Sequence, residues 1–412
     1  MVGFRCCFAY LLLYNVSSVL WLVPWKGEWL AETYQRPWDQ LGVWVGDTLF
    51  GVDAHRHPTG SGDTWADYVL SFDLLVISAL ATIVWSLLDR RRLAYPRLLD
   101  ALRTLVRVVL GTTLVFYGLA KVFWTQFPPP DGESLLRAYG DSSPMGLLWT
   151  FMGYSYGYNL FTGIVECLGV LLFWRRTALL GALVAAATMT QVFVLNLCFD
   201  VPVKLYSLHL LLMAVWLTLP DLRRLADFFL FHRAVVPRPL RVPFERRWLE
   251  RARVPVTVVV LGLALYRVVD RELDSYDAHG PGATRHPMQD IYRVERHAVA
   301  GVEKPSLASD ATRWKRVTLG RYQRAVVVGM DDSRVRYAWA IDEAARTITL
   351  TPDDAKQPAI VLRYTRVDDA HLELAAAIAG RTHALRVARV PRSSFLLVRR
   401  GFHWHQEYPF NR

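Results

Sequence analysis

The chain has 412 residues, 53% of them hydrophobic and only 21% charged, a balance too apolar for a water-soluble domain of that length. Its net charge of +11 does not point to nucleic acid, because the basic residues gather at the ends of apolar runs, as in Arg90-Arg91-Arg92, Arg175-Arg176 and Arg223-Arg224. With no phosphate-cradling glycine loop and no basic helix interleaved with aromatics, nucleic acid is excluded and the lipid bilayer is the expected partner.

A membrane-spanning helix needs about 20 apolar residues. The first such run, Phe4 to Trp25, is too long for a signal-peptide core and lacks a small-residue cleavage site, which predicts a retained helix. A long loop follows, Lys26 to Trp65, whose Trp29, Trp38 and Trp44 are expected at the membrane interface. Further spans are predicted at Ala66 to Leu88, Leu105 to Trp124, Tyr158 to Trp174, Ala178 to Cys198 and Leu205 to Leu219. Between the third and fourth, Pro128-Pro129-Pro130 breaks any helix, and Leu147 to Met152 suits a short interfacial one. A seventh run, Val254 to Val269, is shorter and spans if Arg253 and Arg267 snorkel to the two surfaces.

From about Arg285 the pattern changes to short β-rich runs: Val317–Leu319, Ala325–Val328, Val335–Ile341, Thr347–Leu350, Ile360–Tyr364, Leu372–Leu374, Ala384–Val390 and Phe395–Val398. Turn residues such as Asp331-Asp332-Ser333 and Gly380 separate them, which predicts a small antiparallel sandwich or barrel. The expected fold is therefore an α-helical polytopic membrane bundle of about seven transmembrane helices followed by that β domain. Its parts are residues 1–104, two spans with a long outer loop; 105–233, a four-helix bundle; 234–270, a basic link and the seventh run; and 285–412, the β domain.

Orientation follows from the loops, since Lys and Arg are retained in the cytoplasm. Arginines crowd the links after the second, fourth and sixth runs, the last holding Arg223, Arg224, Arg233, Arg238, Arg241, Arg246, Arg247 and Arg251. The intervening loops are acidic or short. This places the N-terminus in the cytoplasm and, if the seventh run crosses, the β domain outside or in the periplasm. Four cysteines, Cys6, Cys7, Cys167 and Cys198, have neither disulfide-scaffold nor zinc spacing and read as packing.

The segment from about Leu105 to Arg233 resembles the DoxX family of bacterial membrane proteins, through YGLAKVF at Tyr117 to Phe123, GIVECLGVLLF at Gly163 to Phe173, RRTALLGA at Arg175 to Ala182 and VPVKLYSLHLLL at Val201 to Leu212. The resemblance implies a four-helix membrane bundle and, from the thiosulfate:quinone oxidoreductase subunit that gave the family its name, a redox role. It supplies no catalytic residue for this chain.

Ionisable residues inside spans are costly and mark sites by default. With a rise of about 1.5 Å per residue, Asp73, Tyr117, Lys121, Glu166, Gln191, Asn196 and His209 all fall in the outer half of the membrane. That depth predicts a polar pocket lined by Asp73, Tyr117, Lys121, Glu166, Asn196 and His209; the competing reading is a network that only fixes helix packing. Arg107 lies near the cytoplasmic end and is expected to snorkel there. In the tail, His403, His405 and Glu407 alternate, so a strand would point all three to one face as weak candidate metal ligands.

Two functions of different class remain. One is a redox-linked subunit handling a quinone or small sulfur compound in the outer-half pocket. The other is a non-enzymatic anchor or assembly protein whose β domain binds a partner protein. No flavin, haem or iron–sulfur pattern occurs, so the cofactor stays unknown and any redox group is expected from a partner.

Overall fold

A computed structural model of the chain describes residues 1–92, 94–236, 247–278, 280–310, 312–354 and 357–411. Arg238, Arg241 and Arg246 of the basic link lie outside the described residues, as do the side chains of Arg247, Arg251 and Arg253. The chain divides into two compact units, Met1–Gln126 with Gly157–Ser275, and Phe127–Tyr156 with Tyr276–Arg412.

The first unit is helical. Its elements are α1 (Val2–Trp21), α2 (Gly27–Val45), α3 (Trp65–Leu88) and α4 (Pro96–Val122), followed after the second unit's insertion by most of α7 (Tyr156–Cys167), α8 (Ala178–Cys198), α9 (Lys204–Thr218), α10 (Leu222–Phe229) and most of α11 (Arg247–Ala278). Among the described residues, six helical segments are long and apolar enough to cross a membrane: α1, α3, α4, Tyr156–Phe173, α8 and Lys204–Phe229. Their outward faces carry Leu75, Leu80, Ile83, Phe161, Ile164, Leu180 and Leu212 more than half exposed, an exterior suited to hydrocarbon rather than water. Inside, α4 supplies Leu102, Val106, Leu110 and Leu114 at four-residue spacing against Leu172, Ala182, Ala185, Met189, Leu210 and Met213.

Two expectations change here. The stretch after the first span is not a loop: Gly27–Val45 is helical, with Pro37 inside it. Its inward residues, Gly27, Leu30, Tyr34, Trp38, Leu41 and Val45, recur every three or four positions, a stripe that intervening charges hide from any count of apolar residues. Arg107 does more than snorkel, since its Nε donates to the Leu172 carbonyl at 2.6 Å. The 3₁₀ segment Leu168–Phe173 that ends the fourth span frees carbonyls from α-helical pairing. The seventh run lies within α11, a helix of 32 residues, where Arg267 donates to the Val23 carbonyl at 2.8 Å.

The second unit is a closed antiparallel β-barrel with short helices beside it. Its strands are β1 (Ile291–Val299), β2 (Val302–Glu303), β3 (Trp314–Leu319), β4 (Arg324–Gly329), β5 (Arg334–Asp342), β6 (Thr347–Pro352), β7 (Ile360–Arg366), β8 (His371–Ile378) and β9 (Arg381–Val390). Neighbours pair in sequence order from β3 to β9, and β1 pairs with both β3 and β9, so eight strands close on themselves while β2 extends the β1 hairpin. Closure removes the exposed edges that a sandwich would keep. The seam runs from Ile291↔Val390 to Val299↔His383, with a bulge between Val294 and Arg296. The interior alternates as strands require, with Tyr292, Val317, Leu319, Val327, Trp339, Ile348, Leu350, Leu362, Leu374 and Val387 buried.

The stretch expected as a last strand, Phe395–Val398, instead enters a helical turn, α12 (Leu396–Arg399); β1 takes the closing place, which leaves no edge for another strand. Residues 127–156 fold with the barrel. They form α5 (Gly132–Leu136) and α6 (Pro144–Tyr154), capped by Asp131 and Ser143. Glu133 pairs with Arg336 of β5 at 2.8 Å, Arg334 donates to the Leu136 carbonyl at 3.0 Å, and Arg392 donates to the Pro130 carbonyl. A Cβ on Gly132 would stand 2.7 Å from Thr318 Cγ2 and 2.8 Å from Ile291 Cγ1, so α5 lies directly on the barrel wall.

Candidate functional site

The site begins with two glycines. A Cβ on Gly118 would meet the Gly163 carbonyl oxygen at 2.7 Å, and one on Gly163 would meet the Gly118 oxygen at 2.6 Å. Helices α4 and α7 therefore touch backbone to backbone, the approach that small residues permit inside membranes. That contact carries Lys121, one turn further along α4, to Glu166 on α7: Nζ donates to Oε2 at 2.6 Å. Both are buried, at 7% and 4% exposure. Lys121 also donates to Gln126 Oε1 at 2.9 Å, and its ammonium lies 6.0 Å from the centre of the Tyr117 ring, within range of cation–π attraction.

A second cluster surrounds His209 of α9. Its Nδ1 hydrogen points to the Leu205 carbonyl at 2.8 Å, which leaves Nε2 as acceptor for the Tyr10 hydroxyl at 2.7 Å. Tyr14, one turn along α1, stacks on the imidazole with centroids 4.3 Å apart and planes 6° from parallel.

The two clusters meet at a cleft of about 430 Å³ whose walls include Tyr14, Asp67, Ser71, Tyr117, Leu205 and Tyr206. Tyr117 and Tyr206 also line an adjoining cleft of about 350 Å³ with Ser17, Trp21, Thr113 and Phe116. Both volumes suit a small organic ligand. Three tyrosines give flat apolar faces and hydroxyl groups in the same space, with the Lys121–Glu166 pair behind Tyr117 and His209 behind Tyr14.

Of the residues expected in the pocket, Tyr117, Lys121, Glu166 and His209 belong to this arrangement. Asn196 is tied elsewhere, its amide donating to Ser207 Oγ at 3.0 Å. Asp73 turns towards α2, where a Cβ on Gly42 would lie 3.8 Å from its Oδ2, and that buried oxygen has no hydrogen-bond partner among the described residues. Equal depth did not group these two because helix rotation points them at other neighbours. Tyr10, Tyr14 and Tyr206 escaped the reading as neutral aromatics, although Tyr10 and Tyr14 share a helix face at four-residue spacing.

The tail does not make the face that would align metal ligands. His403, His405 and Glu407 are exposed and lie outside any strand, His405 Nε2 lies 3.2 Å from Glu407, and His403 lies against Arg400. Among the described residues no group of three or more His, Cys, Asp or Glu side chains suits a metal ion.

The architecture is that of a multi-pass helical protein of membrane type, with an aromatic cleft beside a buried Lys–Glu pair and a β-barrel domain. No family model matches the chain, and no solved structure does. The uncharacterized protein YwoB of Bacillus subtilis (strain 168) is 36% identical over 124 residues, which is 30% of this chain and 79% of that protein. The chain belongs to the family of that protein.

Proposed function

We propose that the chain is a DoxX-like protein of the bacterial inner membrane, a redox-linked subunit that takes a quinone or small sulfur compound between Tyr14, Tyr117 and Tyr206. The observation that carries this reading is the cleft itself: three tyrosines line it, and their aromatic rings suit a flat ring while their hydroxyls suit its carbonyl oxygens. Quinone reduction consumes protons, and the cleft walls rest on groups able to pass them, Lys121 with Glu166 and Tyr10 with His209. The electrons come from a partner protein. Purified in mild detergent, the protein should carry quinone detectable by mass spectrometry, and a short-chain quinone should bind saturably, with affinity lowered about tenfold in Tyr117→Ala by loss of stacking. A stoichiometric partner protein with no small molecule in wild type would instead assign the anchor or assembly role.

The reading puts the N-terminus in the cytoplasm and the barrel outside it. In support, residues 127–156 and the barrel form one unit, which calls for one side of the membrane for both. The chain between them passes through three apolar spans, which calls for a further crossing, and α11 is the segment that remains. Alkaline phosphatase fused after Asp310 should be active and a fusion after Arg233 inactive; an inactive Asp310 fusion would put the barrel in the cytoplasm.

A further inference from the structure

The barrel unit has a cleft of its own that this function does not use. It measures about 350 Å³ and opens between Pro128–Pro130, the first turn of α6 and Arg321 in the β3–β4 turn. Arg321 lines the cleft, and its Nη1 atom is buried and has no hydrogen-bond partner among the described residues. Arg137 lines the cleft as well. Its Nη2 is held by Glu133 at 2.8 Å, while its Nη1 lies at the start of α6, 3.1 Å from where a Cβ on Gly146 would stand. A cation at that end opposes the positive pole of the helix.

Arg285 and Arg392 add to the positive charge. Burial and then Arg285 hold the Arg321 guanidinium below its usual range, with Arg392 adding to this and Tyr322 and Asp131 opposing it. Burial and Arg285 act in the same direction on Arg392. The nearby carboxylates are already engaged, since Asp131 caps α5 through Ser134 and Glu133 is shared by Arg137 and Arg336. Cations packed this way repel one another and lose hydration, costs that a bound anion offsets. A bare phosphate would leave most of the cleft empty, and Pro128–Pro130, Met145 and Trp149 line the remainder with apolar surface.

We propose that this cleft binds an amphiphilic oxyanion, a phosphate-type head group on Arg321 with Arg285 and Arg392 beside it and a hydrocarbon part against Met145 and Trp149. The head group belongs either to an anionic lipid or to a soluble organic phosphate. The test is calorimetric titration of the full chain in non-ionic detergent with hexyl phosphate, inorganic phosphate and dioctanoyl phosphatidylglycerol. Hexyl phosphate should bind saturably and at least about tenfold tighter than inorganic phosphate, through the burial of its methylene groups. Its affinity should fall about tenfold or more in Arg321→Gln, with the loss of a charge-assisted bond. It should fall less in Arg285→Gln, a change at an exposed side chain that leaves the fold intact, and not at all in Arg363→Gln on the far wall of the barrel sheet. Competition by the phosphatidylglycerol assigns the site to lipid; competition by soluble phosphates alone assigns it to a soluble ligand. The proposal is overturned by absence of saturable hexyl phosphate binding at millimolar concentration, by equal affinity for inorganic phosphate, or by unchanged affinity in both arginine variants.

Discussion

Lys121→Met and Glu166→Gln should each lower stability in detergent by about 3–5 kcal/mol, and the double variant should lose less than the sum. The argument begins with the 2.6 Å contact between two side chains that are almost wholly buried. A charge taken out of water is tolerated when its counter-charge and hydrogen bonds replace the lost hydration, so removing one partner leaves the other as an uncompensated ion. Removing both leaves two neutral side chains in an apolar setting. Thermal melts of the three variants in one detergent measure the coupling, and strictly additive losses would show that the pair is not a unit. The same variants separate folding from function: a stable double variant that no longer binds quinone assigns the pair to the site, whereas full binding restricts it to holding α4 and α7 together.

Acid should weaken the barrel through a buried histidine pair. The backbone N–H of Trp314 donates to His297 Nδ1 at 3.2 Å, so His297 carries its hydrogen on Nε2 and donates it to His383 Nδ1 at 2.9 Å. Protonating either acceptor turns a hydrogen bond into a clash of donors. Burial pushes His297 down from 6.5 to about 4, with His383 and Arg313 adding to the effect, and burial and Arg381 lower His383. Between those values the unfolded chain binds more protons than the folded one, so stability rises with pH. The contribution is fully present above about pH 6.5 and is lost as pH falls towards 4. At about 1.4 kcal/mol per pH unit, His297 alone accounts for no more than about 3–4 kcal/mol. Pulse proteolysis of the full-length protein after equilibration in urea should show the barrel midpoint falling between pH 7 and pH 5. His297→Phe should flatten that dependence, and an equally steep profile in the variant would assign it to other groups.

What the sequence determined by itself is whatever a local count of side chains can carry. Apolar runs of span length are visible because hydrocarbon demands about 20 such residues in a row, and most strands because alternation is a property of adjacent residues. Similar positions along their spans for Lys121 and Glu166 could be read from the fixed helical rise, and the two side chains meet. Tertiary structure decided everything that depends on rotation or on distant partners. Helix rotation turned Asp73 to α2 and Asn196 to Ser207, and brought in Tyr14 and Tyr206, because residues at one depth lie at different angles around their axes. The amphipathic stripe of α2 became legible only once a bundle stood against it. Strand β1, whose charged residues break the apolar pattern, owes its place to pairing with β9 almost the whole barrel away in sequence. The grouping of residues 127–156 with the barrel rests on Glu133–Arg336 and Gly132 against Ile291. No local pattern encodes such contacts, since each is chosen by the shape of a surface built from remote parts of the chain.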